Sequence, residues 1–159
     1  MRLKQTQRGV GEIIQYRKTG YNGRSFGKKK YSPTEAQIQA ALFEWAAYNL
    51  IKYPELKLLH AIPNGGSRHP AEAANLRRQG VKPGVSDIFL PVARRLYHGI
   101  YIELKAAKGR LRPMQKEWLT AVSREGYYAT LCRGTDEAIA LLTWYLAASN
   151  DEEAIVKRG

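Results

Sequence analysis

The spacing of apolar residues along the chain predicts helices that alternate with short strands. Ile38, Leu42 and Trp45 recur at the interval of a helix face. They follow the stretch Ser32-Pro33-Thr34-Glu35, which has the N-cap, proline and glutamate of a typical helix start. A first helix, capped by Ser32, is therefore predicted over residues 32–50.

Glycine, proline and short apolar runs delimit the remaining elements. In chain order they are a strand at 58–62, a helix at 70–80, strands at 86–92 and 99–105, a helix at 113–125, a strand at 127–132 and a helix at 135–148 capped by Thr135. The resulting order is α, β, α, β, β, α, β, α. Such a mixed order predicts an α/β fold in which a small mixed sheet is flanked by helices.

The two middle strands of this series are close enough in sequence to form an antiparallel hairpin. Because side chains alternate along a strand, Tyr101, Glu103 and Lys105 share one face of the second strand. A register in which paired residue numbers sum to about 190 places Asp87 opposite Glu103 and Phe89 opposite Tyr101. A slip of one residue would turn one acid away.

Two carboxylates and an ammonium group at one end of a hairpin suggest a metal site. Neighbouring carboxylates repel each other, so a nearby cation is needed to keep both ionised. Mg²⁺ prefers oxygen ligands and commonly takes one or two carboxylates together with water and phosphate oxygens. Asp87 and Glu103 with Lys105 would thus suit metal-assisted phosphodiester hydrolysis. The alternative is a surface salt bridge between Glu103 and Lys105, with Asp87 as a turn residue.

The charge of the chain points to a polyanionic partner. It has 26 Lys and Arg against 14 Asp and Glu, a formal net charge of +12. Residues 1–31 hold nine of the basic residues and one acid, with four aromatic residues interleaved, and are predicted to form a basic N-terminal arm. Two interpretations of this arm stay open. It binds DNA through phosphates and stacked bases, or it is solvated or pairs with a second subunit.

Several classes of protein are disfavoured by the same sequence. Cys132 is the single cysteine, so a disulfide framework and a cysteine metal cluster are both excluded, and a reducing compartment is expected. No apolar run approaches the ~18 residues of a membrane span, and the N-terminus lacks the apolar core of a secretory signal. We expect a cytoplasmic protein without a membrane partner, although the acid-poor N-terminus is also compatible with an organellar presequence.

Asp87 followed by Glu103-Leu104-Lys105 resembles the PD-(D/E)xK nuclease signature, and residues 34–131 resemble the VRR-NUC (virus-type replication-repair nuclease) family. The matching series is Glu35 with Gln39, Pro63-Asn64-Gly65-Gly66, Gly80-Val81-Lys82-Pro83-Gly84-Val85-Ser86-Asp87, Ile102-Glu103-Leu104-Lys105, Gly109, and Gln115 with Trp118. One departure is Ser86, which stands where the family has a proline before the aspartate. That proline shapes the backbone and supplies no ligand.

The resemblance implies a restriction-endonuclease-like αβββαβ core and an endodeoxyribonuclease that depends on Mg²⁺ or Mn²⁺. Asp87 and Glu103 would bind the metal with the Leu104 carbonyl, and Lys105 would serve the attacking water. Gln115 matches a glutamine near the site. Glu35 matches a glutamate that reaches the metal directly or through water, but it is equally explained as a helix-capping residue.

Six basic residues are predicted to contact DNA phosphates. Those beside a helix start, where backbone N–H groups also favour anions, are the stronger candidates. The six are Lys108, Arg110 and Arg112 beside that helix start, and Arg68, Arg77 and Lys82 elsewhere. Phosphate contacts carry no base information, so sequence-specific recognition is not predicted.

The predicted organisation is the arm at 1–31, a VRR-NUC-like nuclease domain at 32–149 and a C-terminal tail at 150–159. Stand-alone members of the family resemble homodimers that act on branched DNA such as four-way (Holliday) junctions, and a phage or bacterial host is expected. Two alternatives remain. One is a DNA-binding module on a nuclease fold that no longer cuts, and the other is a nuclease for ordinary duplex or single-stranded DNA.

Overall fold

The computed structural model describes residues 32–63 and 70–147. The predicted arm at 1–31, the tail at 150–159, Arg68 and the stretch Asn64-Gly65-Gly66 lie outside the described residues. Within them, no helix is long and apolar enough to span a membrane.

The observed elements follow the predicted order. They are α1 (Glu35–Tyr48), a 3₁₀ helix (Pro54–Leu58), β1 (His60–Ala61), α2 (Pro70–Arg78), β2 (Ile88–Leu90), β3 (Ile100–Lys105), α3 (Pro113–Arg124), β4 (Tyr128–Arg133) and α4 (Thr135–Leu146). The 3₁₀ helix was not predicted. It begins at Pro54, whose fixed φ suits a helix start, and it reduces the predicted strand at 58–62 to two residues.

The predicted helix caps are wrong at two positions. Thr34, not Ser32, caps α1: its hydroxyl accepts from the Gln37 N–H at 3.3 Å, and the Gln37 side chain accepts from the Thr34 N–H at 2.9 Å. This is a capping box, in which glutamine serves as well as glutamate. Thr135 is the first residue of α4 rather than its cap, and its hydroxyl donates to the Ile38 carbonyl at 3.3 Å.

The sheet has the order β1-β2-β3-β4 and is mixed, as predicted. β1, β2 and β3 are antiparallel neighbours, whereas β4 returns parallel to β3 after α3. β2 pairs with β3 through Ile88 with Ile102 and Phe89 with Tyr101, which confirms the predicted register. The core therefore has the αβββαβ arrangement, with α2 inserted between β1 and β2.

Helices cover both faces of this sheet. On one face Ile100, Ile102 and Leu104 belong to the main hydrophobic core, together with apolar residues of α1 and α4 such as Leu42 and Leu142. On the other face α3 packs against β4, and its Trp118 meets Tyr101 of β3 edge-on. Because successive side chains of β3 project to opposite faces, Tyr101 and Glu103 lie on the face opposite the main core.

Gly84 holds the loop before β2 against the first turn of α3. Its φ is +84°, which favours glycine, and a Cβ at this position would lie 2.8 Å from backbone atoms of Met114. This close approach brings the segment that ends in Asp87 beside the helix turn that carries Gln115.

Candidate active site

Asp87 is fixed between β1 and β3 by its own backbone and side chain. Its carbonyl accepts from the Ile62 N–H at 2.7 Å, and its Oδ2 accepts from the Leu104 N–H at 2.8 Å. The preceding Ser86, which departs from the family pattern, is fully buried. Asp87 therefore presents its carboxylate at the end of the hairpin, beside the strand that carries Glu103.

Glu103 is fully buried, with 0% exposure. Its Oε1 accepts from Lys105 Nζ at 2.6 Å and also from the side-chain amide of Gln115. Its Oε2 is buried and has no hydrogen-bond partner among the described residues. A buried acceptor without a donor is costly, so this oxygen is suited to a ligand that is not part of the chain.

Lys105 joins the acidic groups of the site. Its ammonium group has three donors, and three acceptors lie within reach: Glu103 Oε1 at 2.6 Å, the Leu104 carbonyl at 3.1 Å and Glu35 Oε2 at 3.4 Å. The residue is only 5% exposed. Hydrogen bonds as well as charge attraction therefore hold the ammonium group beside the carboxylates.

Burial raises the pKa of both hairpin acids, and the charges of neighbouring carboxylates add to both shifts. Burial raises the pKa of Glu103 to about 7, a shift that the hydrogen bond from Lys105 opposes and the charge of Asp87 increases. Burial also raises the pKa of Asp87, although its hydrogen bond from Leu104 acts in the opposite direction. A further positive charge would favour full ionisation of this pair.

The carboxylates keep Lys105 in its charged form. Burial by itself lowers the pKa of this lysine, but the hydrogen bond to Glu103 and the negative charges around it outweigh that effect, so the net shift is upward. Lys105 is therefore an ammonium group at neutral pH, not a general base.

Glu35 lies at the site rather than in the helix cap. Gln37 completes the capping box, so the interpretation of Glu35 as the capping-box glutamate is wrong. Glu35 is the first residue of α1, and its carboxylate, 49% exposed, faces Lys105 at 3.4 Å. The first turn of α1 thus adds a third acid on the solvent side of the ammonium group.

Gln115 connects α3 to the buried glutamate. Its side-chain oxygen accepts from the Arg112 N–H at 2.9 Å, so its amide group is left to donate to Glu103. The start of α3 therefore fixes the orientation of the Gln115 and Glu103 side chains.

The donor set suits a hard metal ion that shares its coordination with water. Among residues 32–63 and 70–147, no three His, Cys, Asp or Glu side chains are arranged to hold a metal by themselves. Asp87 and the unpartnered Oε2 of Glu103 offer oxygen ligands, and the Leu104 carbonyl, which also accepts from Lys105 Nζ, offers a third. Mg²⁺ commonly uses one or two carboxylates with water and substrate phosphates, so these residues fit it.

The predicted phosphate-binding residues that the structure describes are all exposed. Arg77 lies on α2 and Lys82 in the loop after it, whereas the other described members, Lys108, Arg110 and Arg112, lie between β3 and α3. Arg68 lies outside the described residues. The β3–α3 group directly follows the strand that carries Glu103 and Lys105, which brings positive charge to the edge of the site.

Aromatic residues beside the site had no predicted role. Phe89 and Tyr101 are paired across β2 and β3, and their rings are stacked with centroids 4.2 Å apart. The signal was present in the sequence, because each ring is two residues from a hairpin acid and therefore projects from the same face.

The chain is similar to known proteins in sequence and in fold. The sequence model of the VRR-NUC domain matches residues 33–136. A solved structure described as a VRR_NUC domain protein is 31% identical, with a TM-score of 0.65, and the similarity covers 74% of this chain and 92% of that one. No curated protein matches the chain. VRR-NUC is a nuclease family, which implies nuclease-type processing of DNA. The chain belongs to the VRR-NUC family.

Proposed function

We propose that the protein is a metal-dependent, structure-selective DNA endonuclease that acts as a homodimer on branched DNA such as four-way junctions. The observation that carries this proposal is Glu103: a fully buried glutamate with one oxygen unpartnered among the described residues, next to Asp87 and bonded to Lys105. A purely DNA-binding module needs a basic surface but no buried acid pair, so the arrangement favours the enzyme over that alternative.

Asp87, Glu103 and the Leu104 carbonyl would hold Mg²⁺ or Mn²⁺, with Glu35 as a further ligand directly or through water. A bound divalent ion would polarise the scissile phosphate, lower the pKa of a water and stabilise the leaving oxygen. Gln115 keeps Glu103 oriented, and Leu104 keeps Asp87 oriented, so both acids are positioned before DNA arrives.

Lys105 contributes positive charge where negative charge develops. Its ammonium group is held beside Glu103 and is not free to take a proton, so its role is to orient the attacking water and to stabilise the phosphorane. Glu35, partly exposed, accepts a hydrogen bond from the same ammonium group at 3.4 Å.

The exposed basic residues around the site suit the DNA backbone. Each phosphate neutralised by Lys or Arg adds nearly one unit to the slope of log affinity against log salt. A two-fold homodimer would bring two sites to one substrate, which fits paired cuts across a junction. Ordinary duplex or single-stranded DNA remains the alternative substrate.

The test is a panel of four-way junction, flap, duplex and single-stranded DNA, each incubated with Mg²⁺, Mn²⁺ or a chelator. We expect cleavage with either metal, fastest on the branched substrates, and none in chelator. Equal rates on duplex and junction would contradict the selectivity, and intact DNA of every shape with both metals would contradict the enzyme.

Glu35→Gln tests the role of Glu35. We expect cleavage to fall roughly 10- to 100-fold, as for residues that support metal ligands, while the free energy of unfolding changes by only a few tenths of a kcal/mol from the helix dipole. Thr34→Ala should leave cleavage nearly unchanged. It should lower the free energy of unfolding by ~1 kcal/mol, because α1 loses its N-cap.

Glu44→Gln is the matched control, since it removes an exposed acid ~13 Å further along the same helix. Cleavage assays and urea unfolding measure all three variants. Unchanged cleavage by Glu35→Gln would remove this residue from the site.

A further inference from the structure

The sheet face that carries the hairpin acids also carries a row of rings. The strand register places His60 beside Phe89, and Phe89 beside Tyr101. These three residues, called the aromatic row, lie next to one another across β1, β2 and β3. Phe89 and Tyr101 are stacked with their planes 15° apart, and His60 meets Phe89 edge-on with centroids 5.6 Å apart.

Two further rings contact the stacked pair of Phe89 and Tyr101. Tyr127 contacts both Phe89 and Tyr101 edge-on, with centroid distances of 5.9 and 5.3 Å. Trp118 of α3 meets Tyr101 edge-on at 6.0 Å. Edge-to-face contacts of this kind are favourable, so the pair is held in a defined orientation before any ligand binds.

The stacked pair is adjacent to the acid pair on both strands. Phe89 comes two residues after Asp87, and Tyr101 comes two residues before Glu103. Residues two apart on a strand share a face and lie roughly 7 Å apart. A DNA strand with one phosphate at the acids would therefore place a neighbouring nucleotide over the aromatic row.

The face that carries the aromatic row is less deeply buried than the opposite face. On the core side of the same strands, Ile88 and Ile102 have 0% exposure. Phe89 and Tyr101 are only partly buried, and His60 is exposed. A partly exposed aromatic surface next to the acids, on a chain of net charge +12, fits a polyanion that carries aromatic bases.

We propose that the aromatic row binds an unpaired nucleobase of the DNA substrate by stacking. This inference rests on the proposed function and deepens it, because it supplies a physical source for structure selectivity. Bases inside an intact duplex already use both faces for stacking, and extruding one costs energy. A branch point or a single strand offers a free face at lower cost.

Affinity measurements without cleavage test the proposal. Wild type and the variants Phe89→Leu and His60→Ala are titrated in chelator with a labelled single strand and with the matching duplex. We expect Phe89→Leu to lower the ratio of single-strand to duplex affinity about 5- to 150-fold. Tyr101→Phe, which keeps its ring, should preserve the ratio better than Phe89→Leu. Tyr48→Leu is the control: Tyr48 is 80% exposed at the far end of α1, ~20 Å from Glu35.

A second measurement on the wild type covers the case in which Phe89→Leu fails to fold. A junction with 5-iodouracil at the branch point is irradiated in complex with the protein, and the crosslinked residue is identified by mass spectrometry. Crosslinks to the aromatic row support the proposal, and crosslinks confined to other residues overturn it.

Two further results would also overturn the proposal. The first is an affinity ratio that Phe89→Leu leaves unchanged, including the case in which both affinities fall equally. The second is a wild-type dimer that becomes a monomer in Phe89→Leu, measured by light scattering, since the row would then be a subunit interface. Failure of the proposed function is a separate result. A chain that prefers single strands through these rings but cuts no DNA would refute only the endonuclease.

Discussion

Replacing Glu103 by glutamine is expected to lower the rate of DNA cleavage by about 10³-fold or more, since loss of a metal ligand removes several kcal/mol of charge stabilisation in the transition state. Glutamine keeps the size of the side chain and an acceptor for Lys105, so the fold should persist. Affinity for DNA should be kept or increased, because one negative charge is removed. Single-turnover cleavage and a binding titration measure the two effects.

The matched control for this change is Glu117→Gln, which removes an exposed acid of α3 two residues from Gln115. It should cleave at nearly the wild-type rate. If Glu103→Gln and Glu117→Gln had the same rate, or if Glu103→Gln lost DNA affinity as strongly as cleavage, Glu103 would not act as a metal ligand.

Lys105→Met is expected to reduce cleavage by roughly 10²- to 10³-fold, the effect of removing one group that stabilises developing charge. It should also destabilise the metal-free protein by about 1–3 kcal/mol, because Asp87 and Glu103 lose their nearby cation. Mg²⁺ should restore part of that stability. Cleavage assays and urea unfolding with and without Mg²⁺ provide the measurements.

Lys57→Met, which removes an exposed lysine of the 3₁₀ helix, is the corresponding control. A Lys105→Met protein with the wild-type rate would exclude Lys105 from the reaction. A stability unchanged by the substitution would show that the ammonium group does not offset the repulsion between the acids.

The hairpin register was predictable because alternation allows few solutions. Ile100, Ile102 and Leu104 must face the core together, and that requirement turns Tyr101 and Glu103 to the other face. The pairing of Phe89 with Tyr101 then follows from hairpin geometry. The site was therefore largely determined by local patterns on two adjacent strands.

Helix starts were less predictable because neighbouring residues compete for the same role. Ser32 and Thr34 both suit an N-cap, and Gln37 accepts the role that the sequence analysis gave to Glu35. Because Gln37 completes the cap, the Glu35 side chain is free to contact Lys105, which lies 70 residues later in the sequence. Such a long-range contact leaves no local sequence signal.

The depth of the site was likewise not evident from the sequence. A Glu-x-Lys pair is typical of an exposed strand, yet Glu103 is fully buried and Lys105 nearly so. α1 and α3 bring Glu35 and Gln115 to this strand, where they bond to Lys105 and Glu103. The resulting rise in the pKa of Glu103 is a property of this packing and not of the motif.

Calorimetric titration with Mn²⁺ in the absence of DNA measures whether Asp87 and Glu103 bind a metal ion. The acid pair predicts one Mn²⁺ bound per chain, with affinity reduced at least about 10-fold in Asp87→Asn and in Glu103→Gln but kept in Glu117→Gln. Equal Mn²⁺ affinity in wild type and in the Asp87→Asn, Glu103→Gln double variant would contradict a metal centre at this hairpin.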